Sequence, residues 1–239
     1  MLGVIGGSGF YELAKDVRRQ KVPTPYGSVF VSLADIYGKE VAFIPRHGDN
    51  HSIPPHKVNY RANVWALQEL GATAAFTTYA SGIISRYKPG DLILLEDFIS
   101  FFTHETFFDS FEDGPHHTDV SEPFSKELRE YAEEAAAIHD IRLKKGGIIA
   151  TTIGPRFETP AEVKALKKMG ANLVCMTAGH EVPLFAEAEI PLVSIAVGTN
   201  LAAGLSGHRL THQEVVDMMI KKREEIKLIL KEFVKFVDR

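Results

Sequence analysis

The sequence predicts an α/β fold in a single domain, residues 1–239, and three observations carry that prediction. Short β-rich runs alternate with helical patterns along the chain, which argues for a largely parallel sheet covered by helices. No internal repeat, low-complexity linker or abrupt composition shift marks a domain boundary. A content of 45% hydrophobic and 24% charged residues is enough to bury a sizeable core in a soluble protein.

The elements follow in order. LGVI reads as a strand that runs into the glycine-serine turn GGSG and a helix-like segment. SVFVSLA and VAFIP, joined around YGKE, read as a hairpin, and a helix follows near 57 to 69. AAFTTYA and DLILLEDFI are the next strands. Residues 100 to 124 hold six phenylalanines and three histidines with no sustained period, so this stretch is either an aromatic-packed surface excursion or a cover for a ligand or subunit boundary. A helix near 124 to 138 leads to the strand GGIIATTI and then to GPRFETPAE. There Thr159, Pro160 and Glu162 form a capping box that opens a helix over 160 to 169. Glu158, one residue before the cap, has no such structural job. NLVCMT, a helix near 181 to 188 and PLVSIAVGT complete the alternation. From Thr211 onward, Val215, Met219, Ile226, Ile229, Phe233 and Val237 fall near a 3.6-residue stripe, which predicts a long amphipathic C-terminal helix.

Charge and cysteine usage narrow the function. The net charge is −4, from 27 Lys+Arg against 31 Asp+Glu, and no basic stripe is present, which argues against nucleic acid as a partner. The single cysteine, Cys175, allows no internal disulfide and no cysteine metal cluster. No apolar run is long enough to span a bilayer, so the expected location is cytoplasmic, with no membrane partner.

Three polar clusters stand at the ends of predicted strands. In GGSGFY, glycines and Ser8 suit an anion, although many tight turns use the same residues. In IPRHGDNHSIPPHKVNYRAN, Arg46, His47 and His51 invite a metal reading, but an arginine beside the ligands repels a cation, and an arginine fork with an imidazole suits an oxyanion better. No metal is expected. In AVGTNLAAG, a strand delivers Thr199 and Asn200 at its C-terminal end, where open α/β sheets place ligand contacts. The Asn200 amide offers a donor and an acceptor to a heterocycle, or merely forms a turn.

These pieces in this order resemble the nucleoside phosphorylase family, in its trimeric branch of purine nucleoside and 5'-methylthioadenosine phosphorylases. The resemblance covers nearly the whole chain: GGSGFY, RHGDNHSIPPHKVNYRAN, YASG with KPGD, SEPF, GPRFETPAE with MGA, CMT and TNLAAG. It implies an α/β fold with a central mixed β-sheet flanked by helices. It also implies cleavage of the glycosidic bond by inorganic phosphate as co-substrate, with no cofactor. Carried over by position, Ser8, Arg46, His47, the backbone around Ala80, and Thr177 hold phosphate. Met176 lies against the ribose and Phe157 against the purine. Asn200 becomes the donor near ring nitrogen 7 and, with Arg46 and His47, part of the catalytic set. His117 lies in a region that relatives lend to a neighbouring subunit, which implies a homotrimer or two stacked trimers.

The choice of purine rests on two positions. Methylthioadenosine phosphorylases typically have serine after the Phe of GPRF and a T-D-x-D later, whereas this chain has Glu158 and Thr199-Asn200-Leu201-Ala202. An ionised Glu158 can accept the hydrogen on ring nitrogen 1 of a 6-oxopurine, and Asn200 can donate to the 6-oxygen or to nitrogen 7. The resemblance therefore implies phosphorolysis of inosine and guanosine. His212 matches a histidine that reaches the 5'-hydroxyl in 6-oxopurine enzymes. The N-terminal half looks more like the methylthioadenosine branch, so an S-methyl-5'-thioinosine or 5'-methylthioadenosine phosphorylase is the alternative, and a non-catalytic purine-binding module the third. The chain departs from the family at Cys175, where glycine is usual, and at AGHE, which leaves His180 without a role.

Overall fold

Strand β5, Ala74–Ile83, organises the fold by changing neighbours along its length. The structure is a computed structural model describing residues 1–6, 17–112 and 114–237. The first half of β5 pairs in parallel with β1, Leu2–Gly6, and its last two residues pair antiparallel with β8, Leu173–Cys175. Its other edge pairs in parallel with β9, Leu192–Leu201, with a register shift between Ser81 and Gly82. β6, Leu92–Ile99, and β7, Leu143–Thr151, complete a closed ring in the order β5-β8-β7-β6-β9. Outside the ring, β1 continues through β4, Lys39–Pro45, and β3, Gly27–Ile36, to β2, Val17–Thr24.

Largely parallel is thus too strong a description. Among the described residues, five strand pairs are parallel, and four, β2–β3, β3–β4, β5–β8 and β6–β9, are antiparallel. The sheet is mixed, as the family resemblance implies. The hairpin around YGKE is present, and its two turn residues, Tyr37 and Gly38, both have positive φ, the geometry that matches strand twist. β2 was not anticipated. It is an edge strand with one buried side chain, Val22, and it carries Arg18, Arg19, Lys21 and Pro23, so it lacks an apolar face to signal it.

Among the described residues, five α-helices cover the sheet. α1, Tyr60–Glu69, and α4, Ala178–Glu187, pack over a cluster that includes Ile5, Ile44, Leu67, Tyr79 and Phe185. α2, Lys126–Ile138, and α5, His212–Phe236, cover the opposite cluster around Phe76, Leu94, Ile229 and Phe233. α3, Pro160–Lys168, closes a smaller cluster with Val163 against Val174. Its capping box is formed: the Thr159 hydroxyl accepts from Glu162 N, and the Glu162 carboxylate accepts from Thr159 N at 2.7 Å. α4 begins at Ala178, three residues before the predicted start, because Thr177 rather than a residue of AGHE occupies its N-cap. The C-terminal stripe divides in two. Ile226, Ile229, Phe233 and Val237 enter the core, while Val215 and Met219 line a cavity. Among the described residues no helix is long and apolar enough to cross a membrane.

Candidate active site

A cavity of about 700 Å³ opens where several elements end. The segment after β4 supplies Arg46, His47 and His51, the middle of β5 supplies Thr78 and Ala80, and the loop after β7 supplies Phe157 and Glu158. The end of β8 supplies Met176 and Thr177, β9 supplies Thr199 and Asn200, and the start of α5 supplies His212. Ten of the eleven residues named for the site from sequence lie in described positions, and nine of these share this one wall. The exceptions are Ser8, which falls outside the described residues, and His117. His117 is exposed, meets Phe111 edge-on at 5.7 Å, and does not line the cavity of its own chain.

One end of the cavity gathers a buried arginine, imidazoles and hydroxyls, side chains whose chemistry suits an oxyanion. Arg46 is 3% exposed, its Nε and Nη2 donate to the two oxygens of Glu181 at 2.6 and 2.8 Å, and its Nη1 donates to the Thr78 carbonyl at 2.8 Å. Burial by itself favours the neutral guanidine, but the Glu181 charge and hydrogen bonds outweigh it and raise the Arg46 pKa above its ordinary value. His47 behaves in the opposite sense. Burial, reinforced by the Arg46 charge, lowers it to about 4, so the ring is neutral at pH 7. Its Nδ1 faces the Ile53 carbonyl at 2.9 Å; a carbonyl only accepts, so the proton sits on Nδ1 and Nε2 is an acceptor. His51 lies against His47 with ring centroids 4.4 Å apart and planes tilted by 31°, and 5.4 Å from His212, forming a row of three imidazoles along the wall.

Two hydroxyls complete this end. Thr78 Oγ1 is buried with no hydrogen-bond partner among the described residues. Thr177 is the N-cap of α4 yet makes no side-chain capping bond, so its hydroxyl is left for the cavity. The next two amides are already committed, Ala178 N to the Cys175 thiol and Gly179 N to Thr151 Oγ1.

The other end suits a flat heterocycle. Glu158 is 8% exposed, and the Thr152 hydroxyl donates to its Oε1 at 2.7 Å. Burial pushes its carboxyl upward from the ordinary value, against the pull of the Thr152 bond. Glu162 points away instead, to an exposed pair with Arg156 at 2.7 and 2.8 Å, and that bond holds its carboxyl down to about 2. Thr199 donates to Asn200 Oδ1 at 2.7 Å, and Asn200 Nδ2 donates to the Leu201 carbonyl at 2.9 Å, which fixes the amide and leaves its second N–H unused among the described residues. Half-buried Phe157 and Met176 line the space between. A second cavity of about 690 Å³ lies behind Thr199 and Asn200 against Pro89, Leu205 and α5, but it holds none of the oxyanion-side residues.

Sequence reasoning missed Thr78, Glu181 and Thr152. Thr78 and Thr152 sit in ordinary strand-like runs, and Glu181 is recognisable only once Arg46 is seen beside it. His180, left without a role, is tied to Glu105 through Nδ1 at 2.6 Å and stacks on Tyr60 at 4.5 Å, which ties the 100 to 124 segment to α4. No group of three metal-ligating side chains occurs among the described residues.

The profile of the Phosphorylase superfamily matches residues 1–235. A 6-oxopurine nucleoside phosphorylase of Pyrococcus furiosus is 43% identical over 240 residues, covering 96% of this chain and 90% of that protein. A protein of Methanopyrus kandleri named "Probable S-methyl-5'-thioinosine phosphorylase" is 40% identical, covering 99% of this chain and 92% of its own. Among solved structures, methylthioadenosine phosphorylase from Schistosoma mansoni in complex with adenine superposes with a TM-score of 0.91 at 32% identity, covering 99% of this chain and 91% of that one.

Proposed function

The chain belongs to the phosphorylase superfamily, and we propose that within it the protein is a 6-oxopurine nucleoside phosphorylase that cleaves inosine and guanosine with phosphate. It is a pentosyltransferase, releasing the free base and ribose 1-phosphate. The observation that carries the substrate class is Glu158: a buried carboxylate, held by the Thr152 hydroxyl, that lines a cavity which also presents Asn200. An ionised carboxylate accepts the ring-nitrogen hydrogen of a 6-oxopurine and faces a lone pair on adenine.

The reaction follows from the two ends of the cavity. Arg46 Nη1, Thr177, Ser8 and the backbone around Ala80 donate to phosphate below the sugar, and His47 Nε2 accepts from its remaining hydroxyl. As the glycosidic bond lengthens, the ribosyl group gains positive charge and the purine gains electron density. The fixed Asn200 amide donates its spare N–H to the departing base, and Phe157 and Met176 hold base and sugar in line. Positioning and preorganised dipoles supply most of the rate. The reaction as proposed uses no metal or organic cofactor.

A second reading, S-methyl-5'-thioinosine phosphorylase, is favoured by the apolar side chains Val215, Met219 and Ile220 that line the wall near His212. Initial rates with inosine, adenosine, methylthioinosine and methylthioadenosine, with and without phosphate, separate these readings. Hypoxanthine release from inosine that requires phosphate is the expected result; release without phosphate would mean hydrolysis, and binding without turnover a purine-binding module. For the assembly we propose a homotrimer or two stacked trimers, supported by Phe101, Phe102 and Phe111, exposed at 68%, 69% and 53% on the segment that carries His117. A cytoplasmic location is consistent with the single free cysteine.

A further inference from the structure

We propose that Glu181 is the positioning residue of the phosphate site: it fixes the orientation of Arg46 and cancels its charge, so that phosphate is recognised by aimed hydrogen bonds rather than by net positive charge. This rests on the reading of Arg46 as a phosphate ligand.

Glu181 is fully buried, with 0% exposure, and receives three donors: Arg46 Nε at 2.6 Å, Arg46 Nη2 at 2.8 Å and the Tyr79 hydroxyl at 3.0 Å. The Tyr79 ring also lies under the guanidinium, 4.7 Å from its carbon. A guanidinium has five N–H bonds. Two go to Glu181, one to the Thr78 carbonyl and one, at 3.4 Å, to the Ile5 carbonyl. One N–H on Nη1 remains among the described residues, and Arg46 lines the cavity. Its direction is set by the fork that Glu181 holds, because a guanidinium is planar and two bonds on one edge fix the other.

Glu181 itself has little freedom. It stands in the first turn of α4, directly after Gly179, whose amide donates to Thr151 Oγ1 at 2.8 Å, and His180, clamped by Glu105 and Tyr60. The pair of Arg46 and Glu181 carries no net charge, and His47 beside it is neutral. An anion therefore meets donors held in place, not a cation that any anion could satisfy.

Steady-state kinetics on the full-length enzyme test this. Glu181→Gln keeps the shape but replaces one acceptor by a donor facing Arg46. It should raise the KM for phosphate about tenfold while the KM for inosine moves less than about twofold, a split that general loosening does not produce. The wild-type phosphate KM should be nearly independent of added sodium chloride, and that of Glu181→Gln should rise with salt, because chloride then competes for an uncompensated charge. If Glu181→Gln does not fold, Tyr79→Phe removes the third donor without unpairing a charge, and about a threefold rise in phosphate KM is expected. An unchanged phosphate KM in a folded variant, or equal rises in both KM values, overturns the proposal. Arg46→Lys keeps the charge and loses the fork. If it leaves the phosphate KM unchanged, the assignment of Arg46 fails; if it raises that KM while Glu181→Gln and Tyr79→Phe do not, only the role of Glu181 fails.

Discussion

Glu158 and Glu162 show how one segment assigns two like side chains to different work. Glu162 is half-buried, satisfied by Arg156 and by the helix it caps; Glu158 is buried, bonded by Thr152, and raised in pKa by burial. Glu158→Gln mimics the protonated acid and should lower kcat/KM for inosine on the order of 100-fold or more, with adenosine affected far less. The pH profile should report the same group. Because burial raises its pKa, the ionised form and with it inosine cleavage should disappear as pH falls through a value above the ordinary 4.5. Asn200→Asp should shift preference towards 6-aminopurines, measured as the adenosine-to-inosine ratio of kcat/KM. The residue types and their order were legible in the sequence, as were the cap and the spare carboxylate. What held Glu158 was not, since Thr152 lies in an unremarkable strand end.

At the scale of elements, α3 and α4 carry the site in different ways. α3 is fixed by local chemistry, and Glu162→Ala should cost about 1 kcal/mol through loss of the capping box, read as a small drop in Tm without change in KM. α4 depends on close packing. A Cβ on Gly179 would lie 2.4 Å from Ser100 Oγ and 3.0 Å from Thr151 Cβ, so Gly179→Ala should destabilise by about 1–3 kcal/mol and, by shifting the first turn that carries Thr177 and Glu181, also raise the KM for phosphate. Strands with apolar runs and the amphipathic α5 were legible because their periodicity is local. β2 and the early start of α4 were not: the first is an edge strand stabilised by its neighbour β3, and the second is set by where β8 ends.

For the whole molecule, pH links the site to stability. The His47 pKa is lowered to about 4 in the folded state, whereas an unfolded histidine titrates near the ordinary 6.5. Between these values the unfolded chain binds more protons, so the associated stability is complete above about pH 6.5 and is lost as pH falls towards 4. The effect is about 3 kcal/mol, and Tm against pH should flatten over that window in His47→Asn. The sequence by itself determined the α/β class, the capped helices and the amphipathic C-terminus, and it named nine of the residues that line the cavity, because propensity, capping and periodicity act between near neighbours. Only the tertiary structure decided that the sheet closes into a ring through β5 and β9, that Arg46 is paired with Glu181 across 135 residues, and that Glu158 is buried against Thr152. Strand closure and the desolvation of a charge depend on which distant segments meet, and no local pattern carries that information.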